Sequence, residues 1–357
     1  MSDHVRAERN GSAGVIELDR PRALNALDHA MVRAIAGQLA AWRDDPQVAC
    51  IILKGMPGRA FCAGGDVRGV ILKRNAEGPA AAAPFFYDEY RLNAQIARFP
   101  KPVVSFMDGI TMGGGCGLSV HGSYRIVTEH TMLAMPEAMI GFFPDVGAGY
   151  FLSRCPVGVG AYMALTGARL NAEDALFAGL ATHRLAADDL PALEADIAAL
   201  PDDRQFATRL GALIGSRVRA EASTDGSLRE RAPVIAKLFG QPTLHDVLDG
   251  LERARDEPWA GEALAAIRER SPLSCRVAWE LLQRAVGLDL ENDLRLEYRL
   301  ACRSLEGREF AEGVRALLID KDRQPRWTHA SIEAIDDAEV EAFFRPLASD
   351  KDELVLS

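Results

Sequence analysis

The stretch that decides the fold is PVVSFMDGITMGGGCGLSV, residues 102–120. Its apolar start, residues 102–107, predicts a buried strand, and residues 118–120 predict the beginning of a helix. Between them the run Gly-Gly-Gly-Cys-Gly at 113–117 allows the backbone to approach a ligand closely. The N-terminus of a helix at the same point favours negative charge. The pattern therefore predicts a strand–turn–helix unit whose turn can hold an anion.

This turn does not fit the two common nucleotide-binding patterns. A phosphate-binding loop needs a Gly-Lys-Ser/Thr sequence that is missing here, and the dinucleotide fingerprint needs a glycine where Val120 stands. The structural alternative is a tight turn with close packing of helix on strand. A second glycine turn, Phe61-Cys-Ala-Gly-Gly-Asp66, follows a predicted strand at 48–54, and its alternative is a turn with Asp66 as a helix cap. Two such turns in one domain favour a shared hole for an oxyanion.

Strand and helix signals alternate through the first half of the chain. Predicted strands lie at 14–19, 48–54, 102–107, 124–128 and 132–135, and predicted helices at 28–44, with Asp28 as N-cap, and at 84–99. This alternation predicts an α/β fold. Strand signals nearly vanish after Leu185, and the polar stretch 221–227 predicts a surface loop. We expect a core at 1–195 that holds the site and a mainly helical region at 196–357 that packs on it.

Three acidic residues are candidates for chemistry. Glu137 and Asp145 lie eight positions apart after the last predicted strand, where carboxylates could act as acid and base. Glu89 lies on an otherwise apolar face of the predicted helix 84–99, where a carboxylate is costly without a partner or a function. The structural alternatives are a helix N-cap for Asp145, a solvated turn for Glu137 and an acid paired with an Arg for Glu89.

Composition narrows the class of function. The net charge of −10 argues against a nucleic-acid partner, which needs a basic face. No apolar run approaches the roughly 20 residues of a membrane helix, so no membrane partner is expected. Six cysteines without a C-x-x-C pair argue against a zinc site or a disulfide framework and for a reducing compartment. The N-terminus lacks an apolar signal segment, and together with the Ala/Arg-rich composition this predicts a bacterial cytoplasmic protein.

From about residue 10 to residue 185 the chain resembles the crotonase (enoyl-CoA hydratase/isomerase) superfamily. The matching segments are Leu18-Asp-Arg-Pro21, Leu24-Asn-Ala-Leu27, Phe61-Cys-Ala-Gly-Gly-Asp66, Gly113-Gly-Gly-Cys-Gly117 and Met135-Pro-Glu137. The resemblance implies an α/β fold built as a spiral of β-β-α units with a helical C-terminal region. It also implies that the backbone N–H groups of Gly65 and Gly114 form the oxyanion hole for the carbonyl of a coenzyme A thioester.

Longer segments resemble the 3-hydroxyisobutyryl-CoA hydrolase branch of that superfamily. They are Gly109-Ile-Thr-Met-Gly-Gly-Gly115, Leu118-Ser-Val-His-Gly122, Ile140-Gly-Phe-Phe-Pro-Asp-Val-Gly147, Ala164-Leu-Thr-Gly167, the run 312–322 and Pro325-Arg-Trp327. This branch implies a thioester hydrolase of valine catabolism, with Glu137 and Asp145 as catalytic residues. The substrate contacts would come from Glu89, Gly114, Glu137 and Asp145. Hydratases place a second catalytic glutamate where this chain has Gly117, so hydration is the weaker reading.

Several alternatives stay open at this point. Glu137 either attacks the carbonyl to give an acyl–enzyme anhydride or activates water. The acyl group is 3-hydroxyisobutyryl or 3-hydroxypropionyl, which differ by one methyl group. We expect an acyl-CoA as partner and no metal or cofactor besides the CoA of the substrate, and a homo-oligomer stays open. The rival functions are an enoyl-CoA hydratase or isomerase, with Glu137 as lone base for isomerisation, and a non-catalytic acyl-CoA binding protein.

Overall fold

The computed structural model describes residues 2–218, 227–349 and 352–356 of the 357. The chain divides into two compact units, each assembled from separate stretches. The first unit consists of residues 1–65, 91–133 and 170–229, and the second of residues 66–90, 134–169 and 230–357. The expected division of the chain near residue 195 stays a prediction.

Strands are concentrated before residue 185 and helices after it. The described strands are β1 (Val5–Asn10), β2 (Ala13–Leu18), β3 (Cys50–Gly55), β4 (Ala60–Cys62), β5 (Val103–Met107), β6 (Ile110–Met112), β7 (Tyr124–Val127), β8 (Met132–Ala134) and β9 (His183–Arg184). The α-helices before β9 are α1 (His29–Trp42), α2 (Val67–Glu77), α3 (Pro79–Ala97), α4 (Gly114–Ser119), α5 (Ala148–Leu152), α6 (Val159–Thr166) and α7 (Ala172–Phe177). Those after it are α8 (Leu190–Ala198), α9 (Phe206–Ser216), α10 (Ser227–Phe239), α11 (Leu244–Arg253), α12 (Pro258–Glu269), α13 (Pro272–Ala285), α14 (Leu290–Glu306), α15 (Glu309–Val314) and α16 (Asp337–Phe344).

The first unit is built on a six-stranded sheet in the order β1-β2-β3-β5-β7-β9. β1 pairs antiparallel with β2, and each of the other neighbouring pairs is parallel. β5 is buried at every position, which explains why residues 102–107 read as a continuous apolar run instead of an alternating one. The predicted strands at 14–19, 48–54, 102–107 and 124–128 are confirmed as β2, β3, β5 and β7.

Helices α8 and α9 bury their apolar faces in the same core as this sheet. The shared cluster includes Val15, Ile52, Val104 and Ile126 from the strands and Leu193, Ile197, Leu210 and Ile214 from the helices. Burying one side chain of this size stabilises the fold by roughly 1.5–3 kcal/mol. The core therefore holds four strands of this sheet and two helices together.

A three-stranded sheet in the order β4-β6-β8 places the two glycine turns. β4 and β6 run parallel, with Ala60 opposite Ile110. Because parallel strands end at the same edge, the turn after Cys62 and the turn after Met112 emerge side by side. β8 confirms the strand predicted at 132–135 and carries the chain from the first unit into the second.

The second unit is helical in the residues described. Its longest helix is α14, which begins at the N-cap Asp289, where the carboxylate accepts the N–H of Asn292 at 2.8 Å. The buried face of α14 carries Leu294 and Leu305 but also the acids Asp293 and Glu297. α14 and α13 both contact α5 within this unit. After β9 the described chain forms no further strand, which confirms the predicted helical second half.

Some local predictions need correction. The helix predicted at 84–99 begins at Pro79, five residues earlier, because a proline suits the first turn of a helix and Pro84 is accommodated inside it. β1 was missed because its sequence VRAERN is mostly polar, as suits an edge strand. The predicted loop at 221–227 lies outside the described residues up to 226, and Ser227 begins α10. Among the described helices, none has the length and apolar character needed to cross a bilayer.

Candidate active site

The two glycine turns meet in the first unit. Gly64 has a φ of +111°, a conformation that is open to glycine and unfavourable for other residues. A Cβ added to Gly64 would lie 3.4 Å from the carbonyl oxygen of Met112 and 3.9 Å from the backbone nitrogen of Gly114. The turn after β4 thus lies directly against the turn after β6, as a hole shared by both turns requires.

The N–H groups at these turns are available as donors. Gly113 is the N-cap of α4, with φ +47° and ψ −118°, and no side chain caps this helix end. The first N–H groups of a helix have no partner within the helix. In the ranges that the structure describes, no backbone oxygen accepts a hydrogen bond from the N–H of Gly65 or Gly114. Both donors can therefore serve an external acceptor.

The remaining glycines of this run have other consequences. A Cβ at Gly115 would overlap the carbonyl oxygen of Cys62, so the close-packing interpretation is correct for that position. Gly117 donates its N–H to the carbonyl oxygen of Gly113 at 3.1 Å and offers no side chain. The position that carries a second glutamate in hydratases therefore holds no acid in this helix.

The three candidate acids are buried in the second unit. Glu89 on α3, Glu137 at the start of a 3-10 turn and Asp145 before α5 are only 3%, 8% and 5% exposed. Among the described residues, Oε1 of Glu89 and Oε2 of Glu137 have no hydrogen-bond partner. Within the same ranges no ion pair of Glu89 is seen, so its pairing with an Arg is not observed. Buried carboxyl oxygens without partners are costly and are typical of functional sites.

Electrostatics links these three acids. Burial raises the pKa of Asp145 to about 7, against the opposing effect of a hydrogen bond from Tyr90. Burial, followed by the negative charge of Asp145, raises the pKa of Glu137 well above its usual value. The same two causes raise the pKa of Glu89. The charge of Asp145 thus acts on both glutamates, and the raised pKa values favour the protonated carboxyls.

Tyr90 completes the surroundings of Asp145 and was not predicted from the sequence. Its hydroxyl donates to Oδ2 of Asp145 at 2.7 Å, and the tyrosine is fully buried. Burial and the charge of Asp145 raise the pKa of Tyr90, so the phenol keeps its proton and remains a donor. Its position on the helix marks it as a core residue, and no local pattern indicates a partner 55 residues away.

Two further acids, Asp293 and Glu297 on α14, hold the turn that follows Asp145. Glu297 accepts the N–H of Gly147 at 2.7 Å and of Gly149 at 3.1 Å. Asp293 accepts the N–H of Tyr150 at 2.6 Å. The sequence analysis missed these two acids. A signal was present: like charges four residues apart on a buried helix face are unfavourable, so their presence indicates a function.

The helix-cap interpretation of Asp145 is wrong. Gly147, with φ +87°, occupies the N-cap of α5, and no side chain caps this helix. The carboxyl of Asp145 accepts the Tyr90 hydroxyl instead. Asp145 is therefore held as a buried ionisable group.

These five buried carboxyls thus belong to one unit, with little cationic charge near them. Burial raises the pKa of Asp293 to about 7 and the pKa of Glu297 well above its usual value. Arg154 opposes the effect at Asp293 through its positive charge. Such a cluster can supply both an anion and an acid near neutral pH. Among the described residues, no group of three or more His, Cys, Asp or Glu side chains is placed to hold a metal ion.

Curated relatives match nearly the whole chain. A protein of Gallus gallus named "3-hydroxyisobutyryl-CoA hydrolase, mitochondrial" is 41% identical over 347 residues, covering 97% of this chain and 89% of the relative. A protein of Arabidopsis thaliana named "3-hydroxyisobutyryl-CoA hydrolase 1" is 38% identical over 355 residues, covering 98% of this chain and 93% of the relative.

Solved structures match equally well, and they confirm the crotonase-type α/β fold. One from Mycobacterium thermoresistibile, described as a carnitinyl-CoA dehydratase, has a TM-score of 0.89 and 40% identity and covers 99% of both chains. One from Rhodobacter sphaeroides, described as an enoyl-CoA hydratase, has a TM-score of 0.89 and 39% identity, covering 99% of this chain and 100% of the other. The model of the family described as Enoyl-CoA hydratase/isomerase matches residues 13–344. The chain therefore belongs to the enoyl-CoA hydratase/isomerase family.

Proposed function

We propose that this chain hydrolyses a short 3-hydroxyacyl-CoA thioester, 3-hydroxyisobutyryl-CoA first of all, to the 3-hydroxy acid and free CoA. The relatives that carry the hydrolase name are 41% and 38% identical over 97% and 98% of the chain. The observation that carries the proposal is the buried pair of Glu137, which has an unpartnered carboxyl oxygen, and Asp145, whose charge acts on it. The reaction would belong to valine catabolism.

In the proposed reaction the thioester carbonyl oxygen accepts hydrogen bonds from the N–H groups of Gly65 and Gly114. Negative charge builds on that oxygen as the carbonyl carbon becomes tetrahedral, and preorganised donors stabilise it. Loss of one such donor typically costs roughly 2.7–4 kcal/mol of transition-state stabilisation. The absence of other acceptors for these two N–H groups within the described ranges supports this role.

Glu137 would carry the chemistry by one of two routes. As a nucleophile, its carboxylate forms a C–O bond to the acyl carbon while the C–S bond breaks, and the CoA thiolate leaves and takes up a proton. Water then cleaves the anhydride and restores Glu137. As a base, Glu137 takes a proton from the water whose oxygen bonds to the acyl carbon; the C–S bond then breaks, and the CoA thiolate leaves and takes up that proton. Both routes need the anion, and the raised pKa of Glu137 makes that anion a stronger base than an ordinary carboxylate.

Asp145 and Glu89 would act on the acyl portion. Asp145 would bind or orient the 3-hydroxyl group of the substrate or assist proton transfer, and Glu89 would contact the same portion. The pKa of about 7 at Asp145 means that its acid and its anion are both populated near neutral pH. One carboxyl can therefore accept a hydrogen bond from the hydroxyl or supply a proton.

Hydration is the rival activity because the two solved structures above are described as a dehydratase and a hydratase. Syn addition of water to an enoyl thioester uses two carboxylates that flank the water. Gly117 provides no second carboxylate, whereas Asp145 provides an acid at a different position. A non-catalytic binding protein is disfavoured, because buried unpaired acids cost stability without serving recognition of CoA.

Two finer expectations remain part of the proposal. We expect that the reaction needs no metal or cofactor besides the CoA of its substrate. We also keep the cytoplasm as the expected location, although the name of the Gallus gallus relative places that protein in mitochondria.

The test is a free-thiol assay with 3-hydroxyisobutyryl-CoA, run beside a hydration assay with crotonyl-CoA. Wild-type protein should release CoA rapidly with little hydration, and Glu137→Gln should lower release by roughly 1,000-fold or more. The matched control is Glu309→Gln, which changes another buried glutamate of the second unit and should stay within about threefold of wild type. Hydration without CoA release would show a hydratase, and near-normal release by Glu137→Gln would overturn the role of Glu137.

A further inference from the structure

The turn that carries Asp145 has a strained backbone. Val146 has a φ of +60°, a region that β-branched residues rarely adopt, and its side chain is buried. Gly147 continues the turn with a φ of +87°. Such strain persists only where the surrounding structure holds the backbone in place, and it is found most often at active sites.

The groups that hold this backbone come from α14. Both oxygens of the Glu297 carboxyl are engaged: Oε2 accepts the N–H of Gly147 and Oε1 accepts the N–H of Gly149. Asp293, one helical turn away, accepts the N–H of Tyr150. A Cβ at Gly149 would overlap the carboxyl of Asp293, so backbone and acid are packed together with no spare room.

We propose that Glu297 is a positioning residue for Asp145. By accepting the N–H groups of Gly147 and Gly149, it holds the strained turn in the conformation that presents the Asp145 carboxyl. The inference rests on the proposed function, in which Asp145 acts on the substrate. Tyr90 fixes the carboxyl itself, and Glu297 fixes the backbone that bears it.

The chemistry of the side chain explains why an acid is needed here. A carboxyl group has an acceptor lone pair on both oxygens, even when one of them carries a proton, whereas an amide accepts at one end and only donates at the other. A glutamine at 297 would therefore leave either Gly147 or Gly149 with its N–H facing an NH2 group. An apolar residue would leave both N–H groups buried without partners, which is costly.

The test is a double-mutant cycle on kcat/KM for CoA release from 3-hydroxyisobutyryl-CoA, with the intact chain throughout. Glu297→Gln should lower kcat/KM by roughly 10- to 100-fold, because small displacements of a catalytic group have effects of that size. In the Asp145→Asn background the same change should lower it by less than about threefold, since the residue that it positions is already lost. Equal effects in both backgrounds would overturn the inference.

The pH profile of kcat/KM separates positioning from charge. The titratable and charged groups that act on or around Asp145 are Glu89, Tyr90, Glu137, Asp293 and Glu297, with Arg154 beside Asp293. If Glu297 positions Asp145, Glu297→Gln lowers the plateau of the profile. If Glu297 acts only through its charge, the acid limb shifts while the plateau stays, and the inference is overturned.

Two controls keep loss of folding apart from loss of positioning. Glu309, also buried in the second unit, accepts the backbone N–H of Thr328 at one oxygen and the hydroxyl of Ser271 at the other, so Glu309→Gln removes one acceptor of a similar pair elsewhere. Its effect should be equal in the wild-type and Asp145→Asn backgrounds. If Glu297→Gln does not fold, Glu297→Asp replaces it in the cycle, because its shorter side chain withdraws both acceptor oxygens from Gly147 and Gly149. Its effect should again be smaller in the Asp145→Asn background.

The outcome also distinguishes this inference from the proposed function. If Asp145→Asn alone leaves kcat/KM unchanged, Asp145 takes no part in catalysis, and both the proposed role and its positioning are overturned. If Asp145→Asn is strongly impaired and the effects of Glu297→Gln are additive, the proposed function stands and the positioning role fails.

Discussion

Asp66 and Asp145 each precede a helix, yet their side chains do different things. Asp66 is the N-cap of α2, where its carboxylate accepts the N–H of Gly69 at 3.0 Å. Asp145 is buried and turned to the hydroxyl of Tyr90, and Gly147 takes the capping position instead. An exposed cap stabilises a helix by about 1 kcal/mol. A buried aspartate with a pKa near 7 is costly to maintain, which favours a role in chemistry.

The effect of Asp145 on Glu137 predicts a shift in pH dependence. The charge of Asp145 raises the pKa of Glu137, so Asp145→Asn should lower that pKa. Because Glu137 must be ionised to act, the acid limb of kcat/KM should move to lower pH, while the plateau falls by roughly 10²-fold or more. The measurement is CoA release between pH 5 and pH 9.

A buried aspartate outside this cluster provides the control. Asp174 accepts the N–H of Leu228 at 2.9 Å in the first unit, and Asp174→Asn should leave the acid limb in place. If the acid limb of kcat/KM stays in place in Asp145→Asn, or moves to higher pH, the charge of Asp145 does not raise the pKa of Glu137.

At the scale of elements, glycine is required where a helix approaches an acid. Gly149 in α5 lies so close to Asp293 of α14 that any side chain would overlap its carboxyl. Gly37 in α1 has no atom within 4 Å of the position of an added Cβ and faces solvent. The two helical glycines therefore differ: packing requires Gly149, whereas Gly37 only lowers the stability of its helix.

This contrast predicts opposite changes in stability. Gly149→Ala should lower the free energy of unfolding by roughly 1–3 kcal/mol, since overpacking forces the backbone or Asp293 to move. Gly37→Ala should raise it by roughly 0.5–1 kcal/mol, because alanine favours the helix. Urea denaturation of both variants is the measurement. Equal effects of the two substitutions would show that the approach of α5 to Asp293 is loose.

At the scale of the whole molecule, the buried carboxyls couple folding to pH. Burial raises the folded-state pKa of Asp293 from 3.8 to about 7, so the folded protein holds a proton that the unfolded chain has released. This stability is fully present below about pH 4 and is lost as the pH rises through 7. Each unit of raised pKa corresponds to about 1.4 kcal/mol.

The variant Asp293→Asn tests this coupling. Its amide oxygen can still accept the N–H of Tyr150, but position 293 no longer titrates. Asp293→Asn should be less stable than wild type at pH 5. At pH 8, where wild type has lost the contribution of the proton, this difference in unfolding free energy should be smaller by roughly 2 kcal/mol. Urea denaturation at the two pH values measures it. If variant and wild type differ in unfolding free energy by the same amount at pH 5 and pH 8, Asp293 does not hold a proton in the folded protein.

The sequence alone determined the α/β class, the strands β2, β3, β5 and β7, and the two glycine turns. These features follow from local patterns: apolar runs for buried strands and glycines for turns. Family motifs added Glu137 and Asp145 as candidates. The start of α3 was misplaced because Pro79 and Pro84 both suit a first helical turn.

The tertiary structure decided the surroundings of those acids. The hydroxyl of Tyr90 reaches Asp145 across 55 positions of the chain, and the carboxyl of Glu297 reaches Gly147 across 150. Local patterns report backbone preference and which face of an element is apolar. The burial of a charge and its hydrogen-bond partners depend on segments far apart in sequence, so the pKa values and the held turn arise only when the chain folds.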